Sequence, residues 1–323
     1  MDDPFIWVRA IHFAATILVS GILCFTVFIA EPAFRKGDKS AEPVTIAEAS
    51  VRIRLRWLAW LGLTVALISG AAWLLFVAAR MADLPLVDAL TGAVAGTVVA
   101  QTSFGRAWIV RLLIAALIAM SLCVKTNAGI AGPFWRKALI VSLSGALVGT
   151  LAWSGHAAAG TGPQGSVHLA SDILHLLAAA AWLGGLLPLA IMLRATVRGA
   201  NPHLSVIARV AVARFSILGI ASVGTLLATG LINSWMLVGK VTALTGTDYG
   251  RVLCVKIALF LGMVAAAAIN RLILTPRLMR RQGEGAHLAA QQIGRNSLIE
   301  AAVGSAILLA VGLLGTLPPG IDS

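Results

Sequence analysis

Apolar stretches long enough to cross a membrane recur along the whole chain. A spanning helix needs about 20 apolar residues to cross the ~30 Å hydrocarbon layer. Of the 323 residues, 59% are hydrophobic and only 12% are charged, so the chain must use lipid as its main solvent. We predict an all-α polytopic membrane protein with about eight transmembrane helices, at 5–30, 57–80, 106–125, 137–156, 168–193, 207–238, 250–272 and 297–317.

The positive charges indicate how these helices are oriented. Lys and Arg concentrate in the odd-numbered loops, whereas the fourth loop, 157–167, has none. By the positive-inside rule, both termini face the periplasm and the protein is a multi-pass protein of the cell inner membrane. A ninth span at 88–102 would invert the later loops, so we predict a short interfacial or re-entrant piece there. The basic residues form clusters and no continuous face, which argues against nucleic-acid binding despite the net charge of +12.

A repeated motif divides the chain into two halves. The segments 102–111 and 247–256 share the pattern T-x-[FY]-G-R-x-x-x-V-[RK]. His12 and His175 each precede a glycine by nine residues, Gly21 and Gly184. Because four helices separate the copies, both halves have the same orientation. We predict two parallel four-helix halves, residues 1–161 and 162–323, with a site where they meet.

Several histidines fall at one level of the predicted bundle. His168, Asp172 and His175 are spaced i, i+4 and i+7, which places them on one face of the fifth helix. His12 enters from the same side on the first helix, and His156 ends the fourth helix at that surface. Ionisable side chains inside a membrane are costly and are functional by default. The spacing therefore predicts a site in the outer leaflet.

Imidazole-rich sites suit a transition metal. Neutral imidazole binds copper, zinc and haem iron, and a nearby carboxylate binds metal or fixes the tautomer of a histidine. We predict metal ligation by His12, His156, His168, Asp172 and His175. The alternative without a metal is that Asp172 pairs with Arg9 or Arg111 and that backbone carbonyls satisfy the histidines.

Two segments carry a family resemblance. They are Ser154-Gly-His-Ala-Ala-Ala-Gly160 and the stretch from His168 to Leu189, and the likeness extends to 249–259 and 314–319. The chain resembles the copper resistance protein D (CopD) family of bacterial inner-membrane proteins. The resemblance implies an eight-helix membrane protein that works with a periplasmic copper carrier of the CopC type in copper tolerance or copper uptake. The chain lacks a Met-rich exterior loop, so the oxidation state of the copper stays open.

These observations lead to one main hypothesis and two alternatives. We expect a non-enzymatic protein of copper transport or copper homeostasis, which takes copper ion from the periplasmic side through the histidine site. A membrane cytochrome that binds haem b is the first alternative, because histidines on two helices at matched depth can ligate haem axially. A membrane assembly subunit that transports nothing is the second alternative.

Overall fold

The computed structural model describes residues 3–37, 42–89, 93–124, 133–155, 160–198 and 202–320. Within these ranges the chain is helical and has no strand. Among the described residues, eight helices are long and apolar enough to cross a membrane, which confirms the predicted fold class. They are α1 (Pro4–Phe34), α2 (Val44–Ala82), α3 (Ser103–Cys123), α4 (Phe134–Ser154), α5 (Gly162–Arg198), α6 (Leu204–Val238), α7 (Asp248–Arg280) and α8 (Glu284–Leu314).

Two ends of the bundle are distinguished below. With eight spans, the start of α1 and the end of α8 lie at the same end, here called the terminal end. The opposite end, called the basic end, carries the odd-numbered loops with most of the Lys and Arg. Only two short helices, Leu86–Ala89 and Ala93–Gln101, are described between α2 and α3. Nine residues rise about 14 Å, too little for a span, as predicted for this segment.

Several helices continue beyond their predicted ends on the basic side. The second helix begins at 57 in the prediction but already extends from 44 in the structure. Arg52, on this extension, forms ion pairs with Glu48 one turn earlier and with Glu31 at the end of α1. Arg52 Nη2 lies 2.8 Å from Glu31 Oε2 and 2.6 Å from Glu48 Oε1. These charged contacts stabilise the extension, and a prediction based on apolar stretches does not detect it.

The two predicted halves touch through a pair of glycines. A Cβ atom placed on Gly21 of α1 would lie 2.2 Å from the carbonyl carbon of Gly184 on α5. Small residues let membrane helices approach to backbone contact, and α1 and α5 are the most buried spans. His12 and His175 each lie nine residues, about 14 Å, towards the terminal end from this contact. They are therefore at the same level, on two parallel helices.

The shared motif has the same local structure in both copies. Thr102 and Thr247 cap α3 and α7, each accepting a hydrogen bond from the amide of the motif glycine at 2.9 and 3.0 Å. A Cβ atom on Gly105 or Gly250 would lie 2.3 or 2.2 Å from a backbone oxygen of the preceding short helix. Both glycines are therefore required by close backbone approach. The division at residue 161 itself stays a prediction.

Candidate metal site

A cavity of about 380 Å³ lies between α1, α5, α6, α7 and α8 towards the terminal end. His168, Asp172 and His175 line it together, so the structure gathers three of the five predicted ligands around one space. Its walls are otherwise largely apolar, with Trp182 and Met263 deeper in the bundle. The other polar residues lining the cavity are Arg9, Asn233, Ser234, Tyr249 and Lys256.

Hydrogen bonds set the tautomer of His175. Thr229 Oγ1 donates to the carbonyl of Thr225 at 2.6 Å, so the same oxygen accepts from His175 Nδ1–H at 2.9 Å. The neutral imidazole then carries no proton on Nε2. No partner of Nε2 is found within the described ranges, and the ring lies against the cavity. This is the arrangement in which a histidine presents a lone pair to a metal.

His12 has the same arrangement in the first half but lies apart from the cavity. Its Nδ1 is 3.0 Å from the carbonyl of Ala66 and 3.3 Å from Ser69 Oγ, both on α2. Its Nε2 is buried and has no hydrogen-bond partner in the described structure. His12 is not among the residues that line the cavity, and His156 lies outside the described residues.

The histidine environments repeat at the level of single residues. His12 bonds to Ser69, which precedes Gly70, and His175 bonds to Thr229, which precedes Gly230. Each glycine leaves room for a ring: a Cβ atom would lie 3.0 Å from Cε1 of His12 in the first case and 3.6 Å from Cε1 of His175 in the second. Sequence reasoning missed both hydroxyl partners. A Ser/Thr-Gly pair at equivalent places of the second and sixth spans was the signal available.

Positively charged side chains outnumber negatively charged ones in the cavity lining that the structure describes. Asp172 is the one carboxylate among the described lining residues, whereas Arg9 and Lys256 both line the space. No ion pair of Asp172 occurs in the described part of the chain; Asn233 Nδ2 donates to its Oδ1 at 3.4 Å. Arg9 Nη1 donates instead to the carbonyl of Gly315 at 2.9 Å. A pair of Asp172 with Arg9, one part of the predicted alternative, is therefore not formed among the described residues. The other part, a backbone carbonyl as partner of a histidine, is found at His12 Nδ1.

Two buried guanidinium groups surround Trp73 next to His12. The Cζ atoms of Arg9 and Arg111 each lie 5.5 Å from the ring of Trp73, and the ring of His12 lies 5.4 Å from it. Arg111 Nη2 donates to the carbonyl of Thr150 at 2.7 Å, and no ion pair of Arg111 with Asp172 is found among the described residues. Sequence reasoning missed Trp73 because it carries no signal that separates it from an ordinary packing residue.

The described side chains do not form a closed coordination sphere. No group of three or more His, Cys, Asp and Glu side chains close enough to hold a metal ion is found among the residues that the structure describes. His168 and His175 lie seven residues apart, about 10 Å along α5. The arrangement offers separate ligands at successive depths of one cavity.

The fold and the cavity define a polytopic helical membrane protein with a histidine-lined cavity at one end of the bundle. Two family models match the chain: "Copper resistance protein D-like, N-terminal domain" at residues 1–166 and "Copper resistance protein D" at residues 209–314. The chain belongs to the copper resistance protein D family, as its sequence motifs predicted.

Three curated relatives are similar to the chain. It is 31% identical to Copper resistance protein D of Pseudomonas syringae pv. tomato over 227 residues, which cover 70% of this chain and 72% of that protein. It is 29% identical to inner membrane protein YebZ of Escherichia coli (strain K12) over 98% of this chain and 99% of YebZ. Copper transport protein CutJ of Bacillus subtilis (strain 168) is 30% identical over 68% of this chain and 37% of CutJ. No solved structure shows a significant match.

Proposed function

We propose that the protein transports copper across the cell inner membrane, with its terminal end on the periplasmic side. The names of two relatives, Copper resistance protein D and Copper transport protein CutJ, support copper as the cargo, and YebZ is named as an inner membrane protein. The concentration of Lys and Arg at the opposite end supports the orientation. A periplasmic carrier of the CopC type delivers the copper to the terminal end. The activity is transport, without a catalysed reaction.

The observation that carries this proposal is the fixed tautomer of His175 at the cavity. Its Nδ1–H is held by Thr229, which leaves Nε2 as a ligand for copper arriving from the terminal end. His168 precedes it on the same face of α5 and receives the ion first. Asp172, between them, supplies a carboxylate oxygen or orients a ring.

An open series of ligands suits an ion that has to leave again. A closed site of three or four ligands would retain copper, whereas single imidazoles at successive depths pass it on. Met263 lines the deeper part of the cavity one heptad below Lys256 on α7, and a thioether is a soft ligand that suits Cu(I). His12 and His156 complete the predicted ligand set: His12 has an unpartnered Nε2, which supports the same chemistry in the first half.

The test is copper binding and copper uptake by the His175→Ala variant. We expect the purified variant to bind less copper, and proteoliposomes that contain it to take up copper more slowly by at least about tenfold, the lower bound seen when support of a metal ligand is lost. His287→Ala, in the first turn of α8 at the basic end, is the matched control and retains both properties. Unchanged copper stoichiometry and uptake in the His175 variant would contradict the proposal.

The haem alternative meets a geometric difficulty in this cavity. The predicted haem ligands are histidines on two helices at matched depth, which in this fold are His12 and His175. His175 lines the cavity but His12 does not, so the two rings do not face one common space in the described structure. An optical spectrum of the same purified sample decides the matter, because bound haem b would give a Soret band.

A further inference from the structure

Glu300 is a buried carboxylate near the middle of α8, on the basic side of the cavity. It lies within α8 and its exposed fraction is 2%. Asn270 Nδ2 on α7 donates to Glu300 Oε1 at 2.6 Å. In the described part of the chain, Glu300 forms no ion pair. A carboxylate in a membrane span thus has a neutral amide as its hydrogen-bond partner.

The amide is itself held in place by the surrounding helices. Asn296 Nδ2 donates to Asn270 Oδ1 at 2.8 Å, so the Asn270 amide is directed towards Glu300 with its NH₂ group. Asn270 begins a π-helical segment, Asn270–Leu274, and its carbonyl accepts from Thr275 Oγ1 at 2.8 Å. π-Helical turns in α-helices are frequent at functional sites. Two asparagines and one glutamate form a connected polar group between α7 and α8.

The charged residues of the neighbouring helices are directed elsewhere. Arg271 donates to Ser216, and Arg214 and Arg209 donate to backbone carbonyls of Phe28 and Leu278. Glu31 of α1 pairs with Arg52. Other charged groups on elements that contact α8 include Arg194 on α5, Lys256 and Arg277 on α7 and Arg295 on α8, and none of them pairs with Glu300 in the described structure.

Burial inside a span without an ion pair makes the neutral acid the less costly form of Glu300. A charged side chain in the middle of a span costs on the order of 2.5–3.5 kcal/mol on insertion scales, and one neutral donor offsets only part of this. The group also lies in line with the cavity: Ile307 and Met263, which line it, are each about 10 Å along their helices from Glu300 and Asn270.

We propose that Glu300 is a proton-binding site, which takes up and releases a proton as the helices α7 and α8 rearrange. The second part of the proposal, which rests on the proposed copper transport, is that this proton moves in exchange for the copper ion. The first part requires only a carboxylic acid that exchanges its proton with water. The chemistry is a simple equilibrium between the carboxylate plus a proton and the neutral acid.

The test is labelling by dicyclohexylcarbodiimide, an apolar reagent that adds to protonated carboxyl groups in membranes. The acid proton moves to a carbodiimide nitrogen and the carboxyl oxygen bonds to the central carbon. The adduct rearranges to a stable N-acylurea, and peptide mass spectrometry locates it. We expect labelling of Glu300 that decreases as the pH rises and is absent in Glu300→Gln. Glu31, paired with Arg52, is the internal control and stays unlabelled.

A second variant and a second measurement keep the proposal falsifiable. Asn270→Leu removes the donor that stabilises the ionised form, so labelling should persist to higher pH. Infrared spectroscopy should show a carboxylic C=O band that Glu300→Gln lacks. Folded protein without labelling and without this band at any pH overturns the proton site. Protection by sodium at constant pH also overturns it, in favour of a cation site.

The two proposals can fail separately. Because the labelling needs no copper, its failure leaves the copper proposal standing, and failure of His175→Ala leaves the proton site standing.

Discussion

The substitution Thr229→Val tests whether the tautomer of His175 is the basis of copper binding. Valine has nearly the shape of threonine, so the change removes the hydroxyl and preserves the packing of α5 against α6. Thr229 is 5% exposed, and its Oγ1 accepts the Nδ1–H of His175 at 2.9 Å. The variant leaves this N–H without its partner and frees the ring to adopt the other tautomer or to rotate.

The expected magnitude follows from two independent estimates. A buried donor left without a partner costs about 1–3 kcal/mol, and 1.4 kcal/mol corresponds to about tenfold in a binding constant. Loss of a hydrogen bond that supports a metal ligand weakens metal affinity by about 10–100-fold. Both give a copper affinity about one to two orders of magnitude lower than that of the unchanged protein.

Chelator competition on the detergent-purified protein measures this affinity. Thr225→Val is the matched control: its hydroxyl lies one turn away on α6 and donates to the carbonyl of Ala221 at 2.9 Å. We expect the control to retain its affinity within about twofold. If His175→Ala weakens copper binding while Thr229→Val leaves the affinity unchanged, the reasoning from the tautomer is refuted.

Two further predictions concern the folded state. Gly21→Ala places a methyl group 2.2 Å from the backbone of Gly184, so α1 and α5 must move apart. We expect this variant to lose about 1–3 kcal/mol of stability in thermal unfolding. The control Gly224→Ala, whose methyl group meets no atom within 4 Å, should not lose stability through a clash. Thr102→Ala and Thr247→Ala each remove a helix cap, and each should lower the free energy of unfolding by about 1 kcal/mol. A loss in only one of the two variants would contradict the structural equivalence of the two copies.

The sequence predicted the fold well because the membrane leaves few choices. Backbone polar groups in lipid must be satisfied within each segment, so every apolar run of sufficient length forms a helix. The number of spans and the short segment before α3 followed from run lengths and charge. The helix ends did not follow from the lengths of the apolar stretches, since the extension of α2 depends on contacts of Arg52 with Glu31 and Glu48.

The candidate site was predicted in part. Helical spacing placed His168, Asp172 and His175 on one face of α5, and all three line one cavity. The same reasoning put His12 at the right level but could not show which way it faces, because helix rotation is set by packing against neighbours. Its ring is held by Ala66 and Ser69 on α2 and lies apart from the cavity lining.

By itself, the sequence determined how many times the chain crosses the membrane and at what depth each polar residue lies. Composition and the fixed rise of a helix suffice for both. Only the tertiary structure decided which polar residues meet. Thr229 beside His175, and Asn270 beside Glu300, are brought together from separate spans by the lateral packing of helices. Lipid is equally apolar on every side of a helix, so the distribution of apolar residues cannot specify these contacts, and close steric fit, as at Gly21 and Gly184, has to do so.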